Sequence, residues 1–195
     1  MSTYLQYNNH MILHPTDPSK YFYGIVEDPP EPPGPTFDEV TIGYQTWMSK
    51  NLSIDDGQGG IYTQTVNYGQ GDVVEYYYTW DAAVRVAATL EGWRLPSAAN
   101  WDTLNTTVGS TAGTKLKSTY GWSSGNGTDK YGFAVFPAGY RDSSSFMAFG
   151  SYGIFWTATE ESSTLAKNRY FDSQASMVQY HDNKTKAFSV RLIKD

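Results

Sequence analysis

A chain of 195 residues with 39% apolar side chains is long enough for one domain with a sizeable core, and its 6 Trp, 16 Tyr and 9 Phe supply much of the surface to be buried. A net charge of −6 without any cluster of Lys or Arg argues against nucleic acid as a partner, because phosphate binding needs a basic footprint. The lack of cysteine excludes disulfides, thiolate metal sites and cysteine nucleophiles, and no run of about 18 apolar residues offers a membrane-inserting helix.

Residues 1–28 hold a Tyr-rich stretch, then His14-Pro15-Thr16-Asp17-Pro18, then Tyr21-Phe22-Tyr23-Gly24-Ile25-Val26. The outer pieces read as short strands about a Pro-bounded turn. This segment is too small for a core of its own, so it is expected to attach the chain to its main domain, a neighbouring subunit or a larger particle. No basic segment followed by an apolar stretch opens the sequence, so no signal peptide is expected. The run Pro29-Pro30-Glu31-Pro32-Pro33-Gly34-Pro35 favours polyproline II and reads as a stiff spacer rather than a plain surface loop. Residues 36–195 form the main domain.

Helical signals are few. Trp80–Leu90 places Trp80, Ala83, Val84, Ala87 and Ala88 on one face, with Asp81 near the N-terminal end of the dipole. Ser97 is the N-cap of a second helix whose Trp101 and Leu104 face inward. Ala112–Ser118 forms a third, short helix. Glycine-rich turns separate short strands elsewhere, and Phe188, Val190 and Leu192 alternate as in a half-buried terminal strand. The fold class expected is α+β.

Catalytic signals are missing. His10, His14 and His181 are the only histidines, and neither a His-x-x-x-His spacing nor a Gly-x-Ser-x-Gly elbow occurs. Asp55-Asp56-Gly57 and Asn126-Gly127-Thr128-Asp129 offer oxygen ligands without the twelve-residue calcium loop, and read as Asx-type turns. No enzyme activity, metal or cofactor is expected. All six tryptophans read as core, Arg94 as held by a framework carboxylate or carbonyls, and Gly127 and Gly132 as tight turns. The informative stretch is 141–186, dense in Ser, Tyr, Asn, Asp and Phe. Tyrosine gives a large rigid contact at low entropy cost, and Ser and Asn give adaptable hydrogen bonds, which is the composition of a binding surface. Strand alternation puts Asn168, Tyr170 and Asp172 on a displayed face, with Arg169 and Phe171 behind them. The competing reading is an ordinary polar rim of a domain whose ligand sits elsewhere.

Several blocks, in order, carry a resemblance: Ile42–Met48, Gly92-Trp93-Arg94-Leu95-Pro96, Gly121-Trp122, Gly127–Phe133, Pro137–Arg141, Phe155–Thr159 and Phe188–Asp195. From about Val40 onward the chain resembles the Fibrobacter succinogenes major paralogous domain. That family belongs with the C-type-lectin-like folds, which implies short antiparallel strands, two main helices and a pairing of the N- and C-terminal strands. The Glu-Pro-Asn and Gln-Pro-Asp tripeptides of calcium-dependent sugar-binding lectins are absent. The chemistry of the related formylglycine-generating enzymes lacks its cysteines here.

The same framework is similar to variable proteins diversified by retroelements in bacteria and their phages. Such diversification mutates adenines, so Asn codons become Ser, Tyr, Asp, His, Ile and a few others. Ser145, Ser151, Tyr152, Ile154, Asn168, Tyr170, Asp172, Ser173, Ser176, Tyr180, His181 and Asp182 fit that pattern and form the expected ligand-binding set. Met147, Gln174 and Gln179 do not fit it. The resemblance implies non-catalytic binding of a protein or glycan on a target cell surface. Tyr152, Tyr170 and Tyr180 would be the aromatic anchors. Display would be on a phage tail or a cell surface, with a homotrimer assembled through the N-terminal segment. The alternative is a non-diversified structural or adhesive module of a bacterial surface protein.

Overall fold

The computed structural model describes the backbone of residues 11–14 and 17–23 and the whole of residues 35–195. The chain divides into two compact units, Met1–Pro33 and Gly34–Asp195. In the first, β1 (Met11–His14) and β2 (Asp17–Tyr23) make an antiparallel hairpin with Met11 opposite Tyr23. The Tyr-rich start, the Gly24-Ile25-Val26 end of the second expected strand and the Pro29–Gly34 part of the expected spacer lie outside the described residues.

The second unit is α+β. It opens with β3 (Glu39–Ile42) and β4 (Gln45–Met48), then the hairpin β5 (Ile61–Asn67) and β6 (Asp72–Tyr78). Helix α1 (Trp80–Ala87), strand β7 (Trp93–Arg94), helix α2 (Ala98–Val108) and the short α3 (Ala112–Leu116) follow. A small hairpin, β8 (Tyr140–Asp142) and β9 (Ser145–Met147), precedes β10 (Gly153–Glu160), β11 (Leu165–Phe171) and β12 (Val178–Asn183). The last strand, β13 (Ile193–Lys194), sets Ile193 opposite Trp47 of β4 and also pairs with β7. The four-stranded sheet β3-β4-β13-β7 therefore joins the first and last strands of this unit.

Local chemistry explains the helices. The Ser97 hydroxyl accepts from the Asn100 backbone N–H and the Asn100 side chain accepts from the Ser97 N–H, a reciprocal capping box at the start of α2. Trp101 and Leu104 are fully buried, as their spacing requires. Helix α1 starts from Thr79, whose hydroxyl accepts from the Ala82 N–H. It is shorter than its periodicity suggests, and its inward face is rotated. Ala82, Ala83, Val86 and Ala87 are buried with Trp80, whereas Val84 and Ala88 are exposed. The helix packs on β6 and β10 along the arc that Ala82 and Val86 occupy, and an alanine-rich helix offers little in its sequence to fix that arc.

Two large hydrophobic clusters fill most of the unit, with a small third one around Tyr77, Ala138 and Ala187. One gathers α1 with Trp156, Phe188, Val190 and Leu192; the other gathers Trp47, Trp101, Phe133, Phe155 and Phe171. Trp156 and Phe188 sit 4.3 Å apart between ring centroids, and Trp47 and Trp101 sit 4.8 Å apart. All six tryptophans are buried. The expected half-buried alternation of Phe188–Leu192 does not hold, because residues 187–193 are buried throughout. The segment runs between the two large clusters, so both of its faces are covered.

Arg191 lies inside that segment. Its guanidinium donates to the Phe133 carbonyl and to Asn51 Oδ1, the latter at 2.7 Å, and packs over the Phe133 ring. Burial pushes its pKa down to about 9, against the carboxylates of Glu75 and Asp129, so it stays charged at neutral pH. Asn51 in turn donates to Glu75, which also accepts from the Tyr68 hydroxyl at 3.0 Å.

Burial raises the pKa of Tyr68, Tyr77 and Tyr78 above the ordinary value, and the charge of Glu75 adds to the effect on Tyr68 and Tyr77. In the unfolded chain these phenols ionise near 10, so the unfolded state loses protons first. Stability is then full below about pH 10 and falls as pH rises further. Thermal melts from pH 8 upward should show this decline. Absorbance titration of the folded protein should leave three tyrosines protonated until unfolding. Early ionisation of all sixteen tyrosines without loss of structure would contradict the burial assigned to these three.

Candidate ligand-binding face

Strands β10, β11 and β12 form an antiparallel sheet in which Ile154 faces Tyr170, Trp156 faces Asn168, Asn168 faces Tyr180 and Ala166 faces Asp182. Residues opposite each other share a face, so one side of the sheet carries all of these. Toward β10 that side is core: Trp156 and Ala166 are completely buried. Toward β12 it opens into a hollow of about 280 Å³. Behind the sheet, Phe155 and Phe171 enter the second cluster, and Arg169 is held by Asp102, the Ala98 carbonyl and Gln179.

Asn168 and Asp182 lie at the bottom of the hollow. Asn168 Nδ2 donates to Asp182 Oδ2 at 2.9 Å, and Lys186 Nζ donates to Asp182 Oδ1 at 2.8 Å. Lys186 also stands 3.8 Å from Asp142 and 5.5 Å from the centroid of the Tyr140 ring. Burial disfavours its charge, but the bond to Asp182 and the nearby carboxylates outweigh this and hold its pKa above the ordinary lysine value. Asn168 Oδ1 is buried without a hydrogen-bond partner. Tyr140, Ile154 and Phe188 contribute apolar wall, while Tyr152, Tyr170 and Tyr180 stand around it. The Tyr152 and Tyr170 rings are 6.0 Å apart. Burial raises the Tyr170 pKa, and the neighbouring Asp172, Tyr152 and Tyr180 add to it.

Of the twelve residues expected from the sequence, Tyr152, Ile154, Asn168, Tyr170, Tyr180 and Asp182 line this hollow. One needs correction as a displayed group: Asn168 is 1% exposed, so it shapes the bottom of the hollow rather than projecting, while Ile154, 8% exposed, forms wall. Ile154 belongs to the first hydrophobic cluster, and Asn168 sits on the central strand between Trp156 and Tyr180. Ser151 is exposed beside Tyr152 without lining the hollow. His181 is also outside it, with its ring stacked on Tyr180 at 5.1 Å. Ser145 is exposed on β9.

Asp172, Ser173 and Ser176 belong to the turn between β11 and β12, apart from the hollow's lining. Asp172 Oδ1 accepts from the Gln174 N–H. The main chain of that turn is fastened from below. Buried Lys117 donates to the Asp172 and Gln174 carbonyls at 2.6 and 3.1 Å and lies over the Trp122 ring. Burial pushes the Lys117 pKa down, opposed by Asp172.

Some expected turn residues take other roles. Gly127 does not serve a left-handed turn; a Cβ there would stand 2.1 Å from the Lys117 carbonyl oxygen, so close backbone approach requires the glycine. Gly132 does adopt a positive φ of 72°. Asp55 and Asp56 each accept from an N–H two residues on, and Asp56 also binds Arg85 at 2.7 Å, which holds its carboxyl below the usual range. Asn126 instead accepts from the Trp122 N–H, and Asp129 from the Ala134 N–H. Arg94 pairs with the Asp195 carboxylate at 3.2 Å. Among the described residues no three His, Cys, Asp or Glu side chains converge as a metal ion requires, and no helix is long and apolar enough to cross a membrane.

One protein-family profile, that of the Fibrobacter succinogenes major domain, matches residues 40–194. The chain belongs to this family. No curated protein and no solved structure matches it. The Fibrobacter succinogenes major domain of this chain thus contains every strand that builds the hollow, while the β1–β2 hairpin precedes it.

A larger hollow of about 590 Å³ opens elsewhere on the domain, beside β6 and residues 49–53. None of the twelve expected residues lines it, and Asn51, Glu75, Tyr68 and Arg191 at its base already hydrogen-bond to one another. The smaller hollow is the one that gathers six of the twelve expected residues, and it is the candidate site for that reason. Sequence reasoning missed Tyr140, Lys186 and Phe188, which lay in blocks read as framework or at their edge. Only Lys186 left a trace, as a base four residues after Asp182.

Tyr180 is 55% exposed, so Tyr180→Ala should change unfolding free energy by no more than about 0.5 kcal/mol. Gly127→Ala should cost well over 1 kcal/mol, because backbone must move to admit the methyl. Urea unfolding of both variants checks this, and the reverse order would show that framework and face have been wrongly divided.

Proposed function

We propose that this domain is a non-catalytic binding protein that holds a ligand on its β10–β12 face. The observation that carries this reading is the hollow itself. Tyr152 and Tyr180 stand exposed beside bonded Asn168, Asp182 and Lys186, on a framework locked by buried tryptophans. Rigid aromatic anchors around a small set of fixed polar groups are what a binding site needs. The polar groups are engaged with one another as an ion pair and an amide–carboxylate bond rather than as a nucleophile with its base, which favours binding over catalysis.

Within that reading the fold is C-type-lectin-like, and residues 141–186 are the segment diversified by a retroelement. The support is the exposed, adenine-compatible composition of Ser145, Ser151, Tyr152, Ser173, Ser176, Tyr180 and His181 on a family-specific framework. Display on a phage tail or a cell surface follows, with a protein or glycan of a target cell as ligand. A nearby near-repeat of the coding sequence, differing only at adenines, distinguishes this from a non-diversified adhesive module.

Fluorescently labelled protein should bind intact cells of at least one strain in a bacterial panel. The Tyr152→Ala, Tyr180→Ala double variant should bind at least tenfold more weakly with an unchanged melting temperature. Equal binding by the variant would remove the ligand from this face.

The N-terminal hairpin unit is proposed to assemble the chain into a homotrimer. Sedimentation should show a trimer for the full chain and a folded monomer after deletion of residues 1–35. An unfolded truncation product would make the segment part of the domain instead.

A further inference from the structure

The ligand class can be read from the polar row at the bottom of the hollow, granted that the hollow is the binding site. The row runs from Lys186 Nζ through the two Asp182 oxygens to the Asn168 amide, joined at 2.8 and 2.9 Å. Lys186 and Asp182 neutralise each other within it. A charged ligand group would have to break that pair or be desolvated beside the like-charged partner, and either is costly. Asp142, 3.8 Å from Lys186, adds a further negative charge that disfavours anions.

The row nevertheless keeps hydrogen-bonding capacity. An ammonium carries three donors and a carboxylate about four acceptor sites, and the two internal bonds use only part of these. Asn168, 99% buried by its 1% exposure, has an Oδ1 acceptor with no donor at all. An unpaired buried acceptor costs stability that a ligand donor would restore. The matching group is uncharged and both donates and accepts at neighbouring atoms. Vicinal hydroxyls do so, since each hydroxyl is one donor and two acceptors. A single protein side chain brings one hydroxyl or one amide and leaves most of the row unmet. The exposed Tyr180 ring offers a flat apolar surface for the C–H face of a ring that bears such hydroxyls. The volume of about 280 Å³ suits one small ring rather than an extended chain.

We propose that the hollow recognises a terminal neutral sugar, whose vicinal hydroxyls bond Asp182, Asn168 and Lys186 and whose ring packs against Tyr180. The contact uses the side chains of this chain directly.

Saturation-transfer NMR on the full chain with glucose, galactose, mannose, N-acetylglucosamine and N-acetylneuraminic acid, each at millimolar concentration, tests this. At least one neutral sugar should bind and the anionic one should not. Tyr180→Ala and Asp182→Asn should each weaken that binding about tenfold, equivalent to about 1.4 kcal/mol. Tyr180→Ala is exposed and keeps the test valid if Asp182→Asn disturbs folding. Periodate under conditions that cleave the ring diols of neutral sugars, and not only the exocyclic triol of N-acetylneuraminic acid, should abolish capture of cells by the labelled protein. Absence of any neutral-sugar signal, preference for N-acetylneuraminic acid, or binding that survives Tyr180→Ala overturns the proposal. If no sugar binds and periodate has no effect, yet the double tyrosine variant still loses the cells, the face binds a non-glycan ligand and only the sugar assignment falls.

Discussion

Residues 188–193 run between two large hydrophobic clusters, and the rest of the domain is fastened to them. Phe188, Val190 and Leu192 enter one cluster and Ile193 the other. Their main chain bonds to four separate parts of the fold: Phe188 to Tyr78, Ser189 to Ile154, Val190 to Leu52, and Leu192 to Met48. A segment buried on both sides must satisfy every backbone polar group inside the protein, since water cannot reach it. That demand fixes where β4, β6 and β10 lie. Arg191 meets the same demand with a charge: its guanidinium is compensated by the Phe133 carbonyl, Asn51 and, through Asn51, Glu75. Removing one member of such a chain leaves another buried and unpaired, so the chain holds the two clusters in one arrangement.

The β10–β12 face inherits its rigidity from this spine. Phe188 belongs to the core cluster that stacks on Trp156 and also forms wall in the hollow. Ile154 does the same from β10. The polar groups of the hollow are therefore mounted on residues that cannot shift without disturbing the core, and a site held in that way loses little entropy when a ligand arrives. The β11–β12 turn is held by a different device. Lys117 and close glycine contacts grip its main chain, while the side chains of Ser173, Gln174, Ala175 and Ser176 remain exposed. Backbone anchoring of this kind places no demand on the identity of those side chains.

Much of the frame was legible. Trp101 and Leu104 follow helical spacing after a Ser97 cap, and aromatic residues in a weakly charged chain have few places to go except inward. Tyr170 and Phe171 separate onto two faces by strand alternation alone. Other elements were not legible, for physical reasons. The buried arc of α1 depends on which strands it meets, and alanines do not encode that. The burial of Ser189 and Arg191 contradicts residue type, and only a second cluster behind the strand accounts for it.

What the sequence by itself determined is the periodic and local chemistry: the caps, the aromatic core, the family blocks and a tyrosine-rich C-terminal stretch suited to contact. Tertiary structure decided which of those residues meet. It joined Tyr140, Lys186 and Phe188 to Tyr152, Asn168 and Asp182 in one hollow, and left His181 and Ser145 outside its lining. A hollow is made by strand register and by elements far apart in the chain, and no local spacing rule carries that information. Alternation tells which face a side chain shares, but only the packing of β10 on the core told that Asn168 lies at the bottom of that face while Tyr180 stands exposed.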